Sequence, residues 1–511
     1  MRSITTGMTA HPLIYEIDTW PWLERLGRTT GGPVQLATVP AAAWDRLTEL
    51  GVDAVWLMGV WRRSPAGTAI ATADPDRMAE FREILPDFRT DDVVGSPYCV
   101  REYVVDERLG GPAGLATARQ ALADRGMKLI LDFVPNHVAP DHPWTVAHPD
   151  FFVAGTDDDL VRDTRSFVRA GDRVLACGRD PYFPAWTDTV QLNAFSARLR
   201  AAAIDTLNGI LDQCDGVRCD MAMLLLSDVF AGTWGDRVEP APATEYWSDV
   251  IGATRLTHPD AMLMAEAYWD LEWRLQQLGF DYCYDKRLYD RLVHGDAEAV
   301  RLHLCADLAY QEGLVRFIEN HDEPRAASAF PAGRQRAAAV VALTQPGARL
   351  LHDGQLDGRR VHLPVFLGRA PDEPRDRDLE CWYRALLGVL RHPVLRSGRW
   401  ELCERSGWPG NDRWTQLVAW CWEGTAPGNV DRWIIVVNHG AGTAVGHVTV
   451  PPSWGALRGT AVRLVDPVHD TSFDRPGDDL LDGLYVELPP WGSHLFWIQL
   501  AAREPDRREE P

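Results

Sequence analysis

Acidic side chains recur late in, or just beyond, apolar runs of this 511-residue chain. Asp132 lies in "MKLILDFV" (127–134), with Asn136 and His137 just after it. Arg218 and Asp220 stand two residues apart in "GVRCDMA" (216–222). Glu266 lies in "AMLMAEA" (261–267), and Asn320, His321 and Asp322 close "LVRFIENHD". An ionised carboxylate in an apolar segment is costly unless it is paired and hydrogen-bonded. One such acid alone reads as a helix cap or a structural ion pair. Three carboxylates with two histidines and an arginine, gathered at one place, instead fit cleavage of a glycosidic bond. There one carboxylate attacks the sugar and a second, protonated, assists the leaving oxygen. A guanidinium beside the nucleophile is expected to hold its pKa low, and crowding by carboxylates to raise that of the acid.

Gathering these residues requires a scaffold. Short apolar strands alternate with longer helical patterns: "PLIYEID" (12–18), a helix over 41–51, "DAVWLM" (53–58), a helix over 115–126, then 127–134, a helix over 196–214, and 216–222. Segments 261–267, 314–320 and 348–354 have the same strand character, and "FDYCYD" (280–285) is the least distinct. Strands apolar on both faces and separated by helices imply a parallel sheet covered by helices. Eight units predict an α/β protein built on a (β/α)8 TIM barrel, whose chemistry sits at the C-terminal strand ends. A doubly wound open sheet is the alternative, and the lack of a GxGxxG after the first strand counts against it.

The pattern predicts barrel residues 1–138 and 196–395, with an inserted irregular subdomain over 139–195 after the third strand. Residues 396–500 alternate apolar and polar positions between Gly, Pro and Asn, and predict an antiparallel β-sandwich in which helices stop. Residues 501–511 form a charged tail. The net charge of −21 argues against nucleic acid or an anionic membrane as partner. Nine scattered cysteines form neither a disulfide framework nor a metal motif, which points to a reducing, cytoplasmic compartment. No signal-peptide or transmembrane pattern is read. Most of the 21 tryptophans are expected in cores and domain interfaces, with Trp144, Trp186 and Trp269 as candidate sugar platforms.

Four segments, "LDFVPNH" (131–137), "GVRCDMA", "MAEAY" (264–268) and "ENHDEPR" (319–325), resemble in order the main segments of the α-amylase superfamily, glycoside hydrolase family 13. "VQLN" (190–193) is similar to a fifth, and "GSPYCVREY" (95–103) to the loop that carries a stacking tyrosine. The resemblance implies Asp220 as nucleophile, Glu266 as general acid and base, and Asp322 as a ligand of sugar hydroxyls. It implies Arg218 as the partner of Asp220, His137 and His321 as sugar ligands, Tyr98 beneath the ring, and Arg325 as a substrate-side arginine. The implied activity is retaining hydrolysis of short α-glucosides or malto-oligosaccharides. Transglycosylation is one alternative and a non-catalytic sugar-binding barrel another.

The departures are specific. Met223 and Leu224 stand where α-amylases carry a glucan-binding Lys-His pair, and Gln191 where an acid is common. They count against a long-glucan endo-amylase and against the family's usual calcium, so no cofactor or metal is expected. Met221 follows the nucleophile position. "DHPWTVAHPDFF" (141–152) is similar to a segment of bacterial maltosyltransferases that use maltose 1-phosphate, which keeps a phosphate-linked donor as a minor reading. "GQLDGRRVHLPV" (354–365) is expected to shape the mouth. Linkage and oligomeric state are not legible.

Overall fold

Eight of the apolar runs pair edge to edge and close on themselves. In the computed structural model, which describes residues 9–331, 333–425 and 431–500, they form a closed parallel barrel. Its strands are β1 (Leu13–Asp18), β2 (Ala54–Met58), β3 (Lys128–Phe133), β4 (Gly216–Cys219), β5 (Met262–Ala265), β6 (Tyr282–Tyr284), β7 (Leu314–Arg316) and β8 (Ala348–His352). Each strand pairs with its sequence neighbours, and β1 closes the ring against β8. The indistinct run 280–285 is β6.

Alternation explains why these strands are apolar on both faces. Ile14, Trp56, Ile130, Met262, Met264, Tyr282, Tyr284, Val315 and Leu350 fill the barrel interior. Tyr15, Val55, Leu129, Leu131, Val217 and Leu263 pack into the larger core shared with the surrounding helices. Glu16, Asp132, Arg218, Glu266 and His352 share the parity of the inward set, so the last inward layer before the mouth is polar. Arg218 pairs in register with Asp132 on one side and Met264 on the other.

The helices are amphipathic covers. Ala41–Leu50 buries Trp44, Leu47 and Leu50 and stops at Gly51, whose φ of 79° suits a residue without Cβ. Ala197–Leu211 buries Leu199, Ala203, Leu207 and Leu211. Strand β4 is shorter than the predicted 216–222, because Met221 turns left-handed at φ 45° and takes the chain out of the sheet.

Between β3 and that helix the chain makes two small antiparallel pairs, His137–Val138 with Val190–Gln191 and Phe167–Ala170 with Arg173–Ala176. A separate cluster including Val138, Phe151, Phe152, Leu175 and Leu192 holds them. After Arg399 a six-stranded and a three-stranded sheet enclose a core of Leu417, Ile434, Val448, Trp454 and Phe496. Helices do not cease there: Gly477–Gly483 is helical, with Asp478 and Asp479 in its first turn, where the helix dipole favours anions. Trp400, Trp420, Trp422 and Trp433 join the barrel's core cluster, and the Trp422 indole donates to the Thr344 carbonyl at 2.9 Å. The predicted tail 501–511 lies outside the described residues.

Candidate active site

The polar inward layer is organised by one guanidinium. Arg218, fully buried, holds the Asp220 carboxylate on Nη1 at 2.5 Å and the Glu266 carboxylate on Nη2 at 2.7 Å. Asp132 lies 4.0 Å from the same Nη1 and is itself held by the Trp56 indole and the Gly59 amide. The guanidinium also sits 5.1 Å from the Tyr98 ring centroid. Glu266 accepts from the Met221 amide at 2.7 Å and from the Tyr268 hydroxyl at 2.8 Å. The left-handed turn at Met221 thus does two things: it lifts Asp220 out of the strand and aims an N–H at Glu266.

His321 forms the second centre. Its Nδ1 meets Glu16 at 2.5 Å, and its Nε2 meets the Tyr98 hydroxyl at 2.5 Å and Asp322 at 3.0 Å. Burial disfavours its charge, but Asp322 and Glu16 outweigh that and hold its pKa well above the ordinary value. Burial pushes Asp322 up, and His321 more than reverses it, to about 2. His137 has no acid bonded to it, and burial takes it down to about 4, so it is neutral. Burial pushes Glu266 up to about 7 against the pull of Arg218, helped by Asp220 and Asp322. Asp220 is a correction. The arginine was expected to hold it low, but burial, with Asp322 and Asp132 adding, pushes it up to about 6. One guanidinium shared among several carboxylates cannot neutralise each of them.

Asp220, Glu266, Asp322, Tyr98 and His137 line one cavity of about 380 Å³, with Arg218 and His321 behind its wall. Trp186 lines it too, 5.0 Å from the His137 ring. Arg325 is not brought in. Its Nη1 is taken by Glu319 at 2.6 Å, His352 at 2.7 Å and the Asp353 carbonyl at 2.9 Å, which turns it into the barrel wall. A second cavity of about 380 Å³, with Phe183, Trp269, Lys286 and Glu323 in its lining, shares Met221 and Tyr268 with the first. Those two residues hold Glu266, so this carboxyl stands where the cavities meet. Trp144 lines neither and packs on His142 and Phe151.

Sequence reading passed over Glu16, Tyr268, Arg77 and Asp188. Glu16 carried the signal used for the others, an acid in an apolar strand. Arg77 and Asp188 reach the first cavity from a helix and a loop with no such pattern. Met223 and Leu224 are buried in the turn after β4, away from both linings.

The family's usual calcium can be tested against the donor set. The Gln191 amide nitrogen lies 2.9 Å from the Asn136 carbonyl, 2.9 Å from Asn136 Oδ1 and 3.0 Å from the Leu192 carbonyl. Its oxygen accepts from Asn136 Nδ2 at 3.2 Å. The oxygens a cation would need are already satisfied by a neutral amide, so these residues do not fit calcium.

An acidic, arginine-bridged cavity at the C-terminal mouth of a closed parallel barrel, with a small insertion after β3 and a C-terminal β domain, defines the class. Residues 43–158 match the family described as alpha amylase, catalytic domain. The chain is 27% identical over 326 residues to alpha-amylase MalA of Haloarcula japonica, covering 62% of this chain and 40% of that protein. It is 21% identical over 291 residues to alpha-amylase 3 of Dictyoglomus thermophilum, covering 54% and 56%. The chain therefore matches less than two thirds of the length of either relative. Among solved structures, a noncanonic maltogenic alpha-amylase AmyB from Thermotoga neapolitana superposes with a TM-score of 0.67 at 16% identity, over 97% of this chain and 100% of that one. An alpha-amylase from Geobacillus thermoleovorans complexed with acarbose gives 0.65 at 18%, over 96% and 99%. The chain therefore resembles the α-amylase superfamily, glycoside hydrolase family 13, with the catalytic-domain match over residues 43–158 and the barrel fold shared along nearly the whole chain.

Proposed function

We propose that the chain is a retaining α-glycoside hydrolase acting on short α-glucosides or malto-oligosaccharides. The observation that carries this is Arg218 bridging Asp220 and Glu266, with Glu266 at the junction of two cavities. A general acid has to stand between donor sugar and leaving group, so the first cavity takes the donor and the second the leaving group or acceptor. A carboxylate oxygen of Asp220 forms a bond to the anomeric carbon as the bond to the leaving oxygen breaks, and Glu266 gives that oxygen its proton. Glu266 then takes a proton from water, whose oxygen displaces Asp220 and restores the α-configuration. Asp322 and His137 grip hydroxyls, and Tyr98 lies under the ring. Transfer to a sugar is the second reading, favoured by the aromatic rim of the second cavity, where Tyr182 meets Trp269 at 4.8 Å. The test is α-glucosyl fluoride followed by NMR, alone and with sugar acceptors, using Asp220→Asn as blank. Released α-glucose supports hydrolysis, an α-linked adduct supports transfer, and silence excludes both.

The mechanism needs Asp220 ionised and Glu266 protonated. Activity is lost as pH falls below about 6, where Asp220 gains a proton, and as it rises above about 7, where Glu266 loses one. The expected kcat/KM profile of the free enzyme is therefore a narrow bell whose two limbs belong to the coupled pair. A plateau extending from pH 4 to 9 would contradict this assignment.

We further propose that folding and activity need no calcium at Asn136. EDTA is expected to leave Tm unchanged. Gln191→Glu, which puts a carboxylate among those oxygens, is expected to lower Tm without calcium and to recover part of the loss with it. A wild-type Tm that falls in EDTA would count against this. Among the described residues no helix is long and apolar enough to cross a membrane. A reducing, cytoplasmic location is part of the proposal, supported by nine cysteines without a disulfide, seven of them buried.

A further inference from the structure

We propose that Arg77 and Asp188 form a clamp for the hydroxyl groups of a terminal, uncharged sugar in the donor cavity, restricting the site to a single non-reducing-end glycosyl residue. This rests on the retaining-glycosidase reading above.

Both side chains line the cavity that holds Asp220, Glu266 and Asp322. Asp188 is 4% exposed, and among the described residues its carboxylate has no hydrogen-bond or ion-pair partner on another residue; Cys99 reaches only its backbone carbonyl. Arg77 comes from the helix Pro75–Ile84 and lies over the Phe366 ring at 4.6 Å, which fixes its plane. Its Nη1 is buried without a partner, and its ion-pair contact is Asp74, 3.7 Å from Nε. A donor and an acceptor left open in one cavity are costly until a ligand satisfies both. Sugar hydroxyls do so, since each donates and accepts. A phosphate does not, because Asp188 on the same wall opposes its charge.

The experiment compares wild type with Asp188→Ala and Arg77→Met, after thermal melting has shown that each variant is folded. Kinetics are taken with α-glucosyl fluoride, its analogues lacking the C4 or the C6 hydroxyl, and α-maltosyl fluoride. Wild type is expected to prefer α-glucosyl fluoride over maltosyl fluoride, and over at least one deoxy donor by about a hundredfold or more. Each variant is expected to lose at least tenfold in kcat/KM on α-glucosyl fluoride, mainly through KM, and to lose little on that deoxy donor. Equal losses on every donor, unchanged glucosyl kinetics, or a wild-type preference for maltosyl fluoride would each overturn the clamp. If wild type turns over no glycosyl fluoride, the hydrolase reading fails separately. The clamp is then decided by deoxynojirimycin binding, read by tryptophan fluorescence. Affinity weakened tenfold in both variants supports it; unchanged affinity, or no binding to wild type, removes it.

Discussion

Asp220→Asn is expected to lower turnover of α-glucosyl fluoride by about 10⁴-fold or more, a loss of at least about 5 kcal/mol of transition-state stabilisation. The amide is isosteric but cannot form the glycosyl-enzyme bond, so the effect falls on kcat. Fluoride departs without a proton, so the donor isolates the nucleophile from the acid. The fold should survive, because Arg218 keeps Glu266 at 2.7 Å and Asp132 at 4.0 Å after the Asp220 charge is removed. A melting temperature within a few degrees of wild type is the control that separates lost chemistry from lost structure. Near-normal turnover by this folded variant would end the double-displacement assignment.

Glu266→Gln is expected to give a different signature. General acid–base catalysis contributes about 10²–10⁴-fold, and its share depends on how much the leaving group needs a proton. Hydrolysis of maltose should fall by about 10³-fold or more, whereas the first step with α-glucosyl fluoride should be slowed far less. The second step still lacks its base, so the glycosyl-enzyme should accumulate and be visible by intact-protein mass spectrometry. Azide, which attacks without giving up a proton, should restore release and yield α-glucosyl azide. An equal loss on both donors with no azide effect would mean that Glu266 has another role. The glutamine oxygen can keep the Met221 amide, and its NH2 can donate to the Tyr268 hydroxyl oxygen in place of the bond that hydroxyl gave, so the variant tests proton transfer more than packing.

The same geometry explains where expectation and structure part. A close arginine next to Asp220 reads, in one dimension, as a dedicated counter-ion. In three dimensions Arg218 serves Asp220 and Glu266 together, with Asp132 nearby, and burial of the whole group then governs the pKa values. Arg325 failed for a related reason. Its place in "ENHDEPR" fixes the backbone near the mouth, but the direction of its side chain is set by Glu319 and His352, the latter 27 positions away.

The sequence by itself determined the eight-unit barrel, the insertion after the third strand and the β-rich C-terminal part. It also marked three of the carboxylates that line the first cavity, Asp220, Glu266 and Asp322, though not Asp188. These are legible because strand and helix periodicity are local, and because an acid in an apolar run has few cheap explanations. Only the tertiary structure decided which charges share a partner, that Gln191 fills the space among the Asn136 and Leu192 oxygens, and that Arg77 and Asp188 face one cavity. Those facts depend on the fold bringing together residues 55 and 111 positions apart, one pair in contact and the other across a cavity, and on burial, which changes the energy of a charge without leaving a mark on the residues beside it in the chain.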